Sequence, residues 1–289
     1  MTKNSAQDLL NSETRVQYGP VPHKLGVKTL RADSWQLVGE AFLLRHGANH
    51  WFHYRKGSGI TIERGEGADT SVEALWLSGS VYSAVASING FMPIHASAVC
   101  HEGRVFAFTG PSGAGKSTLV TALAERCLPL FCDDTLILDL SDLDGLQCLP
   151  GHKRLKLTEE ALALTGTRRE EKVGIDIEKY YAQPPDRHSG GPLPLGKLIF
   201  LEEGAECALE EISGAQRMVR LEDDHYTASH FAAARQFDPA SRFAHLSRLA
   251  NQMAMSRFTR PIDTLRFADS VSLACDYITG HQHPDREEG

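Results

Sequence analysis

Gly110-Pro111-Ser112-Gly113-Ala114-Gly115-Lys116-Ser117-Thr118 is the stretch whose reading decides the fold. It satisfies G-x-x-x-x-G-K-[ST] at every fixed position. Before it, Arg104-Val-Phe-Ala-Phe-Thr109 reads as a short apolar strand. After it, Leu119-Val-Thr-Ala-Leu-Ala-Glu-Arg126 reads as the start of a helix. Strand, glycine loop and helix in that order are the setting of a phosphate-binding loop. Such a loop wraps its backbone N–H groups around phosphates at a helix N-terminus. Glycine lets the chain approach those phosphates without a Cβ in the way. In this reading Lys116 reaches the β- and γ-phosphates and the Ser117 hydroxyl ligates Mg²⁺.

Working outward, Pro129-Leu-Phe-Cys132 reads as the next strand, ending in Asp133-Asp134. A right-handed crossover is expected to set it beside the loop strand, with both carboxylates facing the terminal phosphate and its metal. Phosphoryl transfer to a hydroxyl needs a metal anchor and a proton acceptor, and adjacent aspartates can divide those roles. Ile94-His-Ala-Ser-Ala-Val-Cys100 reads as a strand joined through a Glu102-Gly103 hairpin turn to the loop strand. His95 therefore starts a strand near the phosphates. It reads either as a structural histidine or as a group that positions or stabilises developing charge.

The rest of the chain supplies a frame. It has 289 residues, 42% hydrophobic and 23% charged, as in ordinary globular proteins. A formal net charge of −7 argues against a mainly electrostatic nucleic-acid binder. No run of apolar residues is long enough to cross a membrane, and the N-terminus lacks a signal-peptide core. The six cysteines form no C-x-x-C pair and read as reduced thiols of a cytoplasmic protein. Residues 1 to about 30 read as a loosely held lead-in. Residues 35–63 carry a β pattern broken by glycine turns, and Val72 to Ile88 have helical spacing up to a stop at Gly90. Thr158 caps a helix over 158–165. The segment 166–196, rich in charge, Gly and Pro, reads as a mobile flap or as a disordered insertion. Strands are expected at 197–201 and 208–212. Helices are expected near Ala215–Leu221, Asp224–Ala234 and Ala240–Arg257, then a strand at Thr264–Phe267 and a helix from Ser270 to Thr279. His281-Gln-His283 sits in a polar tail, which reads as solvated rather than metal-binding. The expected fold is α/β: an N-terminal β-rich domain over 1–92, a P-loop kinase core over 93–280 and a tail over 281–289.

His95, the Gly110–Ser117 loop and Leu130-Phe-Cys-Asp-Asp134 together resemble the catalytic core of the HPr kinase/phosphorylase family, at separations that match without a gap. The resemblance is specific over about residues 93–140. It implies MgATP as cofactor, with Ser117 as metal ligand, Asp133 close to the metal, Asp134 as general base and His95 in the catalytic set. It also implies a later acidic metal ligand, for which Glu159 or Glu160 is the candidate. The family's R-G-hydrophobic-G segment is missing, with Glu171-Lys-Val-Gly-Ile-Asp176 at most a remnant, so reverse phosphorolysis is not expected. The chain looks more like the kinase-only relatives found with lasso-peptide biosynthesis, which phosphorylate the C-terminal serine of the precursor. The partner so implied is a peptide or protein bearing an acceptor serine, and full-length relatives suggest a homo-oligomer. Lys153, Arg154 and Lys156 are candidates to hold an acceptor carboxylate. Three other readings stay open: an HPr-type kinase, a small-metabolite kinase and a nucleotide-binding regulator without transfer. A transport ATPase is disfavoured, because His188-Ser-Gly-Gly-Pro is not LSGGQ.

Overall fold

The structure is a computed structural model that describes residues 3–26, 34–141, 145–184, 186–222, 226–236 and 238–280. The fold is mixed α/β with several sheets. The chain opens with helix α1 (Lys3–Glu13) and strand β1 (Val16–Tyr18), where the sequence suggests only a loose lead-in. Ala6 and Leu10, one helical turn apart, are each 1% exposed, so four-residue spacing of two small apolar groups anchors this helix. Strands β2 (Ser34–Val38), β3 (Ala41–His46), β4 (His50–Arg55) and β5 (Gly59–Arg64) form the expected antiparallel sheet, and β1 adds to it parallel to β5. Alternation decides its inner face: Phe42 opposes Tyr54, Leu44 opposes Phe52, and Ile60 and Ile62 continue the same layer. Helices α2 (Glu73–Trp76) and α3 (Tyr82–Ile88) join through a π turn at Leu77–Val81 and close over that face. Gly90, at φ +90°, ends the run as expected.

Strands β6 (Met92–Ile94), β7 (Ala96–His101) and β8 (Arg104–Thr109) follow, then helix α4 (Lys116–Ala124) and strands β9 (Leu130–Cys132), β10 (Leu136–Asp139), β11 (Gln147–Leu149) and β12 (Leu155–Leu157). Helix α5 (Glu159–Thr165), strands β13 (Arg169–Gly174), β14 (Ile177–Ala182), β15 (Leu193–Glu203) and β16 (Ala208–Glu211), helices α6 (Ala215–Leu221), α7 (Tyr226–Arg235) and α8 (Pro239–Gln252), strand β17 (Met255–Arg260) and helix α9 (Phe267–Thr279) complete the described chain. The large sheet runs β6-β10-β11-β15-β8-β7-β9, with β17 parallel to β15 and β16 antiparallel to β17. Both of its faces are covered. Ile199 and Leu201 pack with α4 and α9 on one side, and Leu198 and Phe200 pack with α8 on the other. Strands buried on both faces read as unbroken apolar runs, which is what Lys197-Leu-Ile-Phe-Leu201 shows.

Besides the lead-in, four expectations change. Strand β9 does not lie beside β8. The β7–β8 hairpin, turned by Glu102 and Gly103 at φ +46° and +70°, puts β7 between them. Because β7 is antiparallel to both, β8 and β9 still run the same way and end at one edge. The segment 166–196 is neither flap nor irregular insertion over most of its length; β13 and β14 form a hairpin that pairs with β12. The helix expected to Arg257 stops at Gln252, and Met255-Ser-Arg-Phe-Thr-Arg260 is a strand, because parallel pairing along β15 decides its conformation and so short a mixed polar and apolar segment does not. Thr264–Arg266 is a 3₁₀ turn rather than a strand, capped by Asp263 Oδ1 accepting from the Leu265 N–H at 2.8 Å. The six cysteines are free thiols. Among the described residues no helix is long and apolar enough to cross a membrane. The expected tail at 281–289, with His281 and His283, lies outside the described residues, as do Asp224 and its immediate neighbours.

Candidate functional site

The glycine loop links β8 to α4. Gly110, Gly113 and Gly115 adopt φ of +147°, +87° and +78°. At two of them close approach matters as well as φ. A Cβ on Gly110 would come within 3.0 Å of Leu201 O, and one on Gly115 within 2.5 Å of Arg260 Nη2. Lys116 folds back over the loop, its Nζ donating to Gly110 O at 2.9 Å and Pro111 O at 3.0 Å. Burial lowers its pKa to about 8, against the opposing pull of Asp133 and Asp134 and with a further push from Lys179. A desolvated ammonium bonded only to carbonyls has charge to spare for an anion.

Asp133 is 1% exposed. Its Oδ1 accepts from Ser117 Oγ at 2.8 Å and Ser97 Oγ at 2.6 Å. Its Oδ2 is buried and has no hydrogen-bond partner among the described residues. The backbone turns at Asp134, φ +72°, a left-handed conformation that side-chain-bearing residues rarely adopt. Asp134 Oδ2 accepts from Lys156 Nζ at 2.7 Å, and its backbone O accepts from His95 Nδ1–H at 2.9 Å. The same His95 nitrogen stands 3.7 Å from Oδ1. Burial alone would push the Asp134 carboxyl up, but the Lys156 ammonium, with His95 and Lys179, holds it below the usual carboxylate range.

Lys116, Asp134 and the groups around them face a cavity of about 350 Å³, within the range of small-ligand sites. His95, Ser97, Asp134, Lys156, Lys179 and Arg260 line it together with Ser112, Gly113, Gly115, Lys116, Ser117 and Thr118 of the loop. Leu157, Ala161, Leu164, Ile262 and Phe267 give it an apolar wall. Gly110, Pro111 and Ala114 stand behind it: the first two bind Lys116 through their carbonyls, and Ala114 O accepts from Arg260 Nη2 at 2.6 Å. Asp133 reaches it through Ser97 and Ser117. Of the two later acids, Glu160 lines the cavity, whereas Glu159 pairs with Arg169 at 3.3 Å away from it. Of the three basic candidates only Lys156 is present. Lys153 donates to His188 O, and Arg154 pairs with Glu170 at 2.9 Å and lies over the Tyr181 ring.

Sequence reasoning missed Ser97, Lys179 and Arg260. Ser97 had a signal, since residues two apart on a strand share a face with His95. Lys179 sits in the segment that reads as flap or insertion, and Arg260 falls between the helix expected to Arg257 and the strand expected from Thr264, so neither has a frame in the sequence to aim it.

The donor chemistry fits a hard cation. Ser117 Oγ and the Asp133 carboxylate are oxygen donors, and among the described residues one of the carboxylate oxygens has no hydrogen-bond partner. Among the described residues no group of three His, Cys, Asp or Glu converges as a protein-only cage. The Ser117 hydroxyl and the Asp133 carboxylate suit Mg²⁺, which takes one or two protein oxygens and completes its shell with water and phosphate.

No family model and no curated protein matches this chain. Among solved structures, the Hpr(Ser) kinase/phosphatase from Coxiella burnetii is similar over 66% of this chain and 99% of that chain, at 14% identity and a TM-score of 0.32. A likeness at that level carries no weight for activity.

Proposed function

We propose that this chain is an ATP-dependent kinase that transfers the γ-phosphoryl group of MgATP to a serine hydroxyl of a peptide or protein. One observation carries the reading: the loop cation, the Ser117 hydroxyl backed by Asp133 and the Asp134 carboxylate meet at one cavity, at the edge where β8 and β9 both end.

The glycine loop and Lys116 hold the phosphates, with backbone N–H groups and the ammonium as donors. Ser117 and Asp133 hold Mg²⁺, which when bound neutralises charge on the phosphates. Asp134 accepts the hydroxyl proton as the serine oxygen bonds to phosphorus and the bond to the nucleoside diphosphate breaks. Its lowered pKa is compatible with that role. In a loose phosphoryl-transfer transition state the acceptor proton leaves late, so position outweighs basicity. Lys156 and His95 hold Asp134 from two sides and so fix where the acceptor hydroxyl binds. For the acceptor, the support is the His95–loop–Asp134 pattern. It favours a serine on a peptide, with the C-terminal serine of a lasso-peptide precursor as the first substrate to try, in the forward direction only.

The test is transfer of labelled γ-phosphate from ATP to a peptide ending in a free serine, beside its amidated and Ser→Ala forms and an HPr-type protein. Wild type should label only serine-bearing acceptors. Asp134→Asn should bind ATP and lose about 10²- to 10⁴-fold in transfer. Full transfer by a folded Asp134→Asn, or labelling of the Ser→Ala peptide, sinks the assignment.

A further inference from the structure

Arg260 ends β17, in register with Glu203 of β15, and is 5% exposed. Its Nη2 donates to Ala114 O at 2.6 Å. Among the described residues its buried Nε has no hydrogen-bond partner and the guanidinium forms no ion pair. Burial lowers its pKa, and no carboxylate offsets that. A guanidinium carries five N–H donors in a fixed fork, so most of this one's capacity goes unused. A buried cation left in that state is unfavourable to folding unless something else completes it. The group also lines the same cavity as Lys116 and Ser117, on the other side of the glycine loop from the acidic pair. Gly115 belongs to the arrangement: a Cβ there would meet Arg260 Nη2 at 2.5 Å, so the loop leaves room for the guanidinium.

Resting on the nucleotide reading above, we infer that Arg260 is a direct phosphate ligand, clamping non-bridging oxygens of the bound nucleotide's phosphate chain against the glycine loop. The Ala114 carbonyl orients the fork. The phosphate oxygens take the donors that the protein leaves free, in the planar two-point contact that suits guanidinium better than ammonium. Lys116 then meets the phosphates from within the loop and Arg260 from β17, so the chain is gripped from two elements far apart in sequence.

The probes are Mg-ATP and Mg-tripolyphosphate, titrated calorimetrically into wild type, Arg260→Met, Arg260→Lys and Lys116→Ala. Arg260→Met should bind both probes about ten- to a hundredfold more weakly, by the same factor for each, as loss of a charge-assisted contact predicts. The melting midpoint of the unliganded Arg260→Met protein should not fall, since an under-bonded buried cation has been removed. Loss of ATP binding with tripolyphosphate unaffected would make Arg260 a base reader and overturn the inference. Unchanged binding with a lowered midpoint would make it structural and overturn it too. Should Arg260→Met fail to fold, Arg260→Lys decides: it keeps the charge without the fork, so about tenfold weaker binding supports the clamp and wild-type binding refutes it. A wild type that binds neither probe removes the nucleotide reading itself. Weakening in Lys116→Ala but not in the Arg260 variants removes only this one.

Discussion

Two charged clusters in this molecule, each built around a buried carboxylate, follow opposite plans. In the N-terminal sheet, Glu73 of α2 is 8% exposed and its carboxylate accepts from His50 Nε2 at 3.0 Å, Arg64 Nη2 at 2.6 Å and Tyr18 OH at 3.1 Å. The other His50 nitrogen lies 2.9 Å from Asp69 O. Burial pushes the Glu73 carboxyl up, but its Arg64 and Tyr18 hydrogen bonds bring it below its ordinary value. At the glycine loop, among the described residues, Asp133 Oδ2 and Arg260 Nε have no hydrogen-bond partner, and Lys116 Nζ bonds to two carbonyls. A cluster that satisfies every member holds a fold together. A cluster that leaves anion- and cation-seeking atoms open is destabilising by itself and is completed by what it binds.

Removing Lys116 should produce the widest separation between the clusters. Lys116→Ala is expected to lower kcat/KM for transfer by about 10²- to 10³-fold. The folding midpoint should hold or rise, because a desolvated cation has gone. A collapse in stability would make the loop a structural device like the Glu73 cluster. Glu73→Gln should do the reverse. It leaves His50 facing a neutral amide and is expected to destabilise by about 2 kcal/mol in denaturant unfolding, with transfer per folded molecule unchanged.

The pH dependence sharpens the same contrast. Lys116 loses its proton near pH 8 in the free protein, well below the ordinary lysine value. Its folded pKa lies below its unfolded one, so the stability penalty is present below pH 8 and is relieved as pH rises from there toward the ordinary value. Anion binding needs the ammonium, so Mg-ATP affinity should fall above pH 8, by at most about tenfold per pH unit. A flat affinity from pH 7 to 9.5 contradicts this. The smallest effect is expected at Lys156. Lys156→Met removes the charge that holds the Asp134 carboxyl down, so the acid limb of the transfer-rate profile should move to higher pH. An unmoved limb means Asp134 is not the group titrating in that profile.

Much of the site was legible where its signals are local. The glycines of the loop, the Thr158 cap and the Glu102-Gly103 turn each depend on conformations that a few adjacent residues dictate. His95 and the aspartate pair could be marked as candidates by position at strand ends. Their division of labour could not. Asp133 takes the two serine hydroxyls, whereas Asp134, one residue on, takes Lys156, because a left-handed backbone at Asp134 separates their neighbours. Helix α1 was missed because its burial rests on little more than Ala6 and Leu10, too few for a periodic pattern.

The sequence by itself determined the strand–glycine loop–helix unit, the small antiparallel sheet and the presence of a lysine, a serine and two aspartates suited to phosphate chemistry. Those follow from steric and hydrogen-bonding rules that act within a few residues. Tertiary structure alone decided that β7 stands between β8 and β9, that the β13–β14 hairpin carries Lys179 to the cavity and that Arg260 reaches Ala114 from the end of β17. Strand order and side-chain meeting points depend on which apolar faces bury together across long stretches of chain, and one strand's composition carries no record of its neighbour.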